Sequence, residues 1–336
     1  QDGNITAKIV VDKNTTFTVR GDFRDGTWGT SAMAAKTAGS GENNFTIQRA
    51  YLDHKFNNGI VVSAGLMSAG GWGTAFQNNV EGAYRVKLVI PVANGRIQFQ
   101  TTKQSEGVEG TSRYDSSDLE LANDDRDQYG VDYVGKTGDY SYGINLTYTI
   151  DEREGWSNAA KTAHFEDNKV AKATVFANDE DSSKDYGIFG AYAAAFTTID
   201  KLTAGLALVY ASYDEDADKA FEYGDDFDST FIVDELGGVT GGDDLRGFTV
   251  AKLFADFAVN EKLTAGGAFI YGFSNYTDKN PAFEDIKLFE LDAYVAYQLT
   301  ANLSYTVKAA YLQVNDLAGD DLEPVIYASH ALNLSF

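Results

Sequence analysis

Residues 140–150 read Tyr140-Ser141-Tyr142-Gly143-Ile144-Asn145-Leu146-Thr147-Tyr148-Thr149-Ile150. Large apolar side chains hold every even position, and small or polar ones hold every odd position. Successive side chains of a strand leave its opposite faces, so the segment has one oily face and one polar face. A helix would need its apolar residues at i, i+3 and i+4. The same period of two recurs in 84–92, where Tyr84, Val86, Leu88, Ile90 and Val92 alternate with Arg85, Lys87, Val89 and Pro91. It recurs again in 289–299, where Phe289, Leu291, Ala293, Val295, Tyr297 and Leu299 alternate with Glu290, Asp292, Tyr294, Ala296 and Gln298.

Fifteen segments carry this alternation: 5–12, 15–28, 43–56, 60–72, 78–92, 96–106, 127–137, 140–155, 185–197, 201–214, 246–259, 262–276, 285–300, 303–316 and 323–336. Seven tight turns join them in pairs, at 13–14, 57–59, 93–95, 138–139, 198–200, 260–261 and 301–302. Most of these turns hold the Gly, Asn or Asp that tolerate positive φ. The intervening connections are mostly longer and polar, the longest being 107–126, 156–184 and 215–245. Short turns at one end and long loops at the other predict a transmembrane antiparallel β-barrel, its turns periplasmic and its loops extracellular. Segment length agrees: a tilted membrane strand needs about 9–11 residues, whereas soluble strands average about five or six. Only 3 Pro occur in the chain, and backbone N–H groups in lipid must donate to a neighbouring strand.

Composition narrows the class further. The 336 residues carry Lys+Arg 27 against Asp+Glu 50, a formal charge of −23, which makes duplex nucleic acid a poor partner. Zero Cys excludes a disulfide scaffold, a thiolate metal site and a Cys nucleophile. No stretch has the roughly 18–20 apolar residues of a membrane helix. Mean hydropathy is −0.29, an average in which two faces of opposite chemistry cancel. Gln1-Asp2-Gly3-Asn4 has no signal-peptide character, so the chain reads as processed or truncated.

All 336 residues therefore read as a single barrel domain. Seven turns imply sixteen strands when both chain ends lie at the turn end of the wall. The segment before Lys13 runs toward the turns, and Gln1–Asn4 is too short to supply an upward strand before it. Either a first strand lies upstream of residue 1, or residues 5–12 pack outside the wall and the barrel has fourteen strands.

The chain ends Ala331-Leu332-Asn333-Leu334-Ser335-Phe336, a terminal aromatic preceded by alternating apolar residues. Gln48-Arg49-Ala50-Tyr51-Leu52, a short turn and Ala64-Gly65-Leu66 form an early hairpin. On these residues the chain resembles a Gram-negative outer-membrane porin of the general diffusion type. Phe336, Leu334 and Leu332 fit that family's barrel-assembly signal, while His330 breaks the alternation. The acidic composition and the hairpin VDKNTTFTVRGDF (11–23) are similar to the barrels of S-layer-homology porins, which carry a periplasmic anchoring region upstream. The resemblance implies residence in the bacterial outer membrane among lipid and lipopolysaccharide, a homotrimer, and passage of small hydrophilic solutes and ions. It also implies one external loop folded into the lumen, facing a basic ladder across the constriction. That loop is expected at 107–126, with 215–245 as the second candidate.

The residues supply both sides of such a constriction. If the apolar face meets lipid, Lys8, Arg20, Arg24, Arg49, Arg85, Lys87 and Arg96 face the lumen. Guanidinium groups keep their charge and repel one another, so the cluster needs water and opposing carboxylates. The acids of the inserted loop are Glu109, Asp115, Asp118 and Glu120. Charge rings set pore selectivity, and the excess of acids predicts mild cation preference. Ordinary wall-bracing ion pairs are the plainer reading of the same ladder.

Phe56, Tyr84, Tyr140, Phe196, Phe257, Tyr271, Tyr297 and Tyr305 lie near strand ends and read as interface girdles. Ala64, Gly190, Ala194 and Gly267 are expected on the outer face, where small residues permit close wall packing. A substrate-specific channel, for sugars, peptides or carboxylates, is the alternative, with inward Phe248, Phe254 and Tyr294 leaving sugars open; a closed structural barrel is another. Asp214, Asp216 and Asp218 mimic the start of a calcium loop, but Lys219 stands where its Gly is required. No cofactor or dedicated metal site is expected, beyond loose divalent-cation binding at the acidic loops. Nor is catalysis: His54, His164 and His330 fall on separate segments, and no HExxH, P-loop or nucleophile-elbow pattern occurs.

Overall fold

The computed structural model describes residues 3–23, 45–68, 83–105, 126–151, 186–221, 246–278, 283–315 and 323–334. Its strands are β1 (Gly3–Val10), β2 (Thr15–Phe23), β3 (Phe45–Lys55), β4 (Val61–Met67), β5 (Ala83–Val92) and β6 (Gly95–Ser105). β7 (Arg126–Thr137), β8 (Tyr140–Asp151), β9 (Tyr186–Ile199) and β10 (Leu202–Ala211) follow. A small hairpin, β11 (Tyr213–Asp214) and β12 (Lys219–Ala220), precedes β13 (Phe248–Ala258) and β14 (Leu263–Ser274). β15 (Lys287–Thr300), β16 (Leu303–Asn315) and β17 (Val325–Leu334) complete the chain.

All but β11 and β12 form one fifteen-stranded antiparallel sheet, in which each strand pairs with its neighbour in sequence and β10 passes directly to β13. Each of the fifteen alternating segments overlaps one wall strand. The seven tight turns are equally recognisable, and their side chains close them. Asp12 accepts the backbone N–H of Asn14 at 2.7 Å and the hydroxyl of Thr15 at 3.1 Å. The Asn14 bond holds the Asp12 carboxyl below the usual carboxylate range. Asn260 Oδ1 accepts from Lys262 N at 2.9 Å and Leu263 N at 3.0 Å. Gly59, Gly138 and Asp200 take the positive φ that these turns require.

β1 pairs with β2 from Gly3↔Phe23 to Val10↔Thr16. Residues 5–12 thus enter the wall through β1, which removes the fourteen-strand alternative that placed them outside it. The sheet edges are β1 and β17. Because every ladder is antiparallel and the strand number is odd, the two edges run in the same direction.

The ladders divide the side chains into two chemically distinct faces. One face exposes Leu206, Leu253, Phe269 and Leu291, which stand side by side across β10, β13, β14 and β15. The other buries Arg85, Gln98, Gln100, Asp132, Asn145, Lys252, Glu290 and Asp292. A soluble sheet would do the reverse. Hydrocarbon on the outer face and a polar interior account for both sets. Exposed aromatics band the outer face near both ends: Phe56, Tyr140, Phe257, Tyr297 and Tyr305 toward the turns, and Tyr84, Tyr129, Tyr148 and Tyr271 toward the loops. Phe196 does not belong to either band. It shares a face with Tyr192, which is only 2% exposed, and points inward beside Gly205.

Candidate functional site

The inner wall has two regions. The first spans β2 to β8 and is mostly polar. Arg20 lies opposite Arg49, Ser63 opposite Lys87, Gly65 opposite Arg85, and Pro91 opposite Arg96. Gly65 has φ +131°, and a Cβ there would lie 2.4 Å from the Ala50 carbonyl, so only glycine allows the β3–β4 approach beside this cluster. Arg85 is 2% exposed; its Nε donates to Thr102 Oγ1 at 2.9 Å, and its Nη1 donates to the Met67 carbonyl. Lys87 Nζ donates to the Ser68 carbonyl at 3.3 Å. Arg49, Arg85 and Arg96 all act electrostatically on Lys87, and Asp53 is the opposing charge among them. Asp132 faces Arg96 and Lys87 from β7. It accepts from Gln98 Nε2 at 3.0 Å and from Asn145 Nδ2. The register therefore brings Arg20, Arg49, Arg85, Lys87 and Arg96 onto one face, and Lys8 joins them opposite Thr18 on β1.

Arg24, Glu109, Asp115, Asp118, Glu120 and Phe336 lie outside the described residues. Leu332 and Leu334 lie on the outer face, opposite Tyr305 and Leu303. His330 is also outward, opposite Val307, with its ring 5.9 Å from that of Tyr305. The acids of 214–218 serve a turn. Asp214 Oδ1 accepts from the backbone N–H groups of Asp216 and Ala217, both at 3.0 Å, and Asp218 accepts from Tyr213 Oη at 2.7 Å.

The second region covers β9 to β16 and changes along the strands. Toward the loops it is apolar. Ile188, Tyr192, Val209, Phe248, Val250, Ile270, Leu288, Leu312 and Val314 form a buried inner cluster. Two segments between strands turn in to cover it. Phe221 is 3% exposed and lies over Gly190, where a Cβ would come within 2.4 Å of its ring. Ile286 joins from the approach to β15, with Tyr276 and Phe283 packed alongside. Backbone hydrogen bonds from Phe221 N to Ser212 O, Gly247 N to Phe221 O and Asn275 N to Gly247 O tie these segments together. Gly190 and Ala194 consequently face inward, contrary to the outward placement expected of them, whereas Ala64 and Gly267 do lie outward.

Toward the turns the same wall becomes polar again and holds a cavity of about 310 Å³. Lys252, Phe254, Asp256, Asp292, Tyr294 and Lys308 line it, with Ala268 and Ala296 between them. Tyr294 Oη donates to Asp256 Oδ1 at 2.7 Å. It does so by crossing Gly266, which lies between the two on β14 and has no room for a Cβ. The Lys252 ammonium sits 5.9 Å from the centre of the Phe254 ring. Sequence reasoning placed Phe254 and Tyr294 inward but missed Lys252, Asp256, Asp292 and Lys308. The sequence does mark the glycine clearances beside them. Lys201-Leu202-Thr203-Ala204-Gly205 recurs as Lys262-Leu263-Thr264-Ala265-Gly266. In both copies the glycine is inward and makes room for an aromatic: Phe196 and Phe254 over Gly205, Tyr294 over Gly266.

An antiparallel meander wall with an apolar shell and a charged interior defines the class: the chain has the fold of a bacterial outer-membrane β-barrel. Among solved structures, Pseudomonas putida OprB aligns over 99% of this chain and 87% of its own, at 9% identity and a TM-score of 0.52. Salmonella typhi OmpF, in complex with daunomycin, aligns over 99% and 89%, at 12% identity and a TM-score of 0.48. The Pseudomonas aeruginosa outer-membrane protein OpdK aligns over 98% and 80%, at 12% identity and a TM-score of 0.48. The sequence matches no protein-family model and no curated protein.

Proposed function

We propose that this chain forms a water-filled outer-membrane channel for passive diffusion of ions and small hydrophilic solutes, and has no enzymatic role. The observation that carries this reading is the reversal of faces: charged and amide side chains are inside, while Leu, Phe and Tyr are exposed outside. In hydrocarbon, charges such as Arg85, Lys87 and Asp132 would be untenable on the outer face, but a wet lumen solvates them. The basic wall of β2 to β6 faces carboxylates across the pore, with 107–126 as the inserted loop and acidic loops that hold divalent cations loosely. The parallel edges β1 and β17 support a sixteen-stranded wall, since one antiparallel strand preceding β1 would pair with both. An upstream anchoring region, as in S-layer-homology porins, would accompany that strand.

Small outward residues support a homotrimer embedded in lipid and lipopolysaccharide. Ala204, Ala255, Gly267, Ala293, Ala309 and Ala328 form one unbroken row across β10 to β17. Such a row lets neighbouring walls approach closely.

Planar-bilayer recording tests the channel reading. Stepwise conductance increments with mild cation preference are expected; clear anion selectivity would contradict the assigned balance of charge. Neutralising Lys87 and Arg96 to Gln removes positive charge from the wall. The cation-to-anion permeability ratio should then rise about twofold, the effect of a few tenths of a kcal/mol between screened charges. The inward-turned Phe221 and Ile286 favour one further feature, a lumen partly occluded on the β9 to β16 side.

A further inference from the structure

We infer that the inner-wall cavity between β13 and β16 is a binding subsite for a neutral polyhydroxylated ring, a pyranose-sized solute. The inference rests on the channel reading for solute access and adds a preferred substrate class to it. The cavity combines three properties. Its size, about 310 Å³, lies at the small end of ligand pockets. Its charges cancel: Lys252 and Lys308 stand with Asp256 and Asp292 around the same space. Its edge carries an aromatic ring, Phe254, held over Gly205.

The arrangement of charge selects the ligand. Lys252 and Asp256 lie two rows apart on β13, with Phe254 between them. Asp256, Gly266, Tyr294 and Lys308 form one lateral row, and Phe254, Ala268, Asp292 and Ala310 form the next. Ammonium and carboxylate therefore alternate along β13 and along the row from Asp256 to Lys308. A simple anion drawn to either lysine would meet Asp292, and a simple cation drawn to Asp292 would meet a lysine. A sugar hydroxyl both donates and accepts, so several hydroxyls on one ring can satisfy the alternation. The apolar C–H face of the same ring can rest on Phe254, while Ala268 and Ala296 leave the floor open.

The groups are also held in advance. Lys252 is 7% exposed and Asp292 is 9% exposed, so neither is a loose surface charge. Tyr294 fixes Asp256 through its 2.7 Å hydrogen bond, and Gly266 is the clearance that permits it. Preorganised polar groups cost less ordering when a ligand arrives.

The test uses D-glucose, glycylglycine and benzoate as probes on the folded chain, in two measurements. In planar bilayers, glucose added to the salt solution should block current in a concentration-dependent manner, and the dipeptide and benzoate should not. In detergent micelles, saturation-transfer NMR should show contact from protein to glucose ring protons. Tyr294→Phe keeps the ring and removes the hydroxyl that holds Asp256. It should weaken the glucose block about fivefold, the factor of one hydrogen bond. Phe254→Leu should abolish most of the ring-proton transfer. Glucose contact that is absent, or unchanged in both variants, overturns the inference, as does stronger binding of glycylglycine or benzoate. Absent conductance with glucose contact retained would instead overturn the channel reading and leave the subsite standing.

Discussion

Leu253→Arg should destabilise the folded barrel in lipid by about 2–4 kcal/mol, the cost of a cationic side chain near the bilayer midplane of a barrel wall. Leu253 is the central residue of β13 and is 54% exposed. Its lateral neighbours are Leu206 and Phe269, so no polar partner stands beside it on the outer face. The adjacent residue, Lys252, carries a charge on the opposite face and is buried. One step along the strand thus separates a position that already holds a cation from one that should reject it. Urea unfolding from lipid vesicles measures the difference. An outer face bathed in water would give a change within about 0.5 kcal/mol, as ordinary surface substitutions do.

Phe221→Ala should have a second large effect, on both stability and conduction. The ring fills the space above Gly190 within the inner apolar cluster, and Gly190 cannot grow to replace it. Loss of a buried Phe costs about 3–5 kcal/mol when the surroundings cannot collapse. The backbone bonds on either side of Phe221 join β9, the 213–220 hairpin and the start of β13 through Ser212 and Gly247. The substitution should therefore loosen the inward-turned segment as a unit. Single-channel conductance should rise and current noise should increase, because an obstruction on the β9 to β16 side is weakened. Unchanged conductance together with a lowered unfolding midpoint would assign Phe221 to packing alone.

Much of this organisation is legible in the sequence, for a definite reason. Lipid and lumen impose opposite chemistry on alternate residues, so the period of two survives in most wall strands, and turn chemistry marks seven of the connections. The inward positions of Arg49, Arg85, Lys87 and Arg96 follow from parity alone. Parity fails where the local register is broken or where both faces are apolar. A bulge at Arg20/Gly21 shifts the pairing of β2 with β3. On β9, Gly190, Ala194 and Phe196 were misassigned because Gly187-Ile188-Phe189-Gly190-Ala191-Tyr192-Ala193-Ala194-Ala195-Phe196 has no polar face to mark the lumen. Its inner side is covered by Phe221, which comes from 215–245, the segment read as the second candidate for the inserted loop. The cavity of β13 to β16 was missed for another reason. Its charges come from three strands, and only the lateral register shows that Asp256, Tyr294 and Lys308 share a row.

Site-directed labelling tests the central claim most directly, and the absence of Cys makes the background clean. Single cysteines at Ala296, Thr306 and Lys308 should react with a charged, membrane-impermeant thiol reagent when the protein is in vesicles. Cysteines at Val295, Tyr297 and Val307 should resist it and react with a lipophilic maleimide instead. Equal reactivity at all six positions, or the opposite pattern, would contradict a wall with hydrocarbon outside and water within.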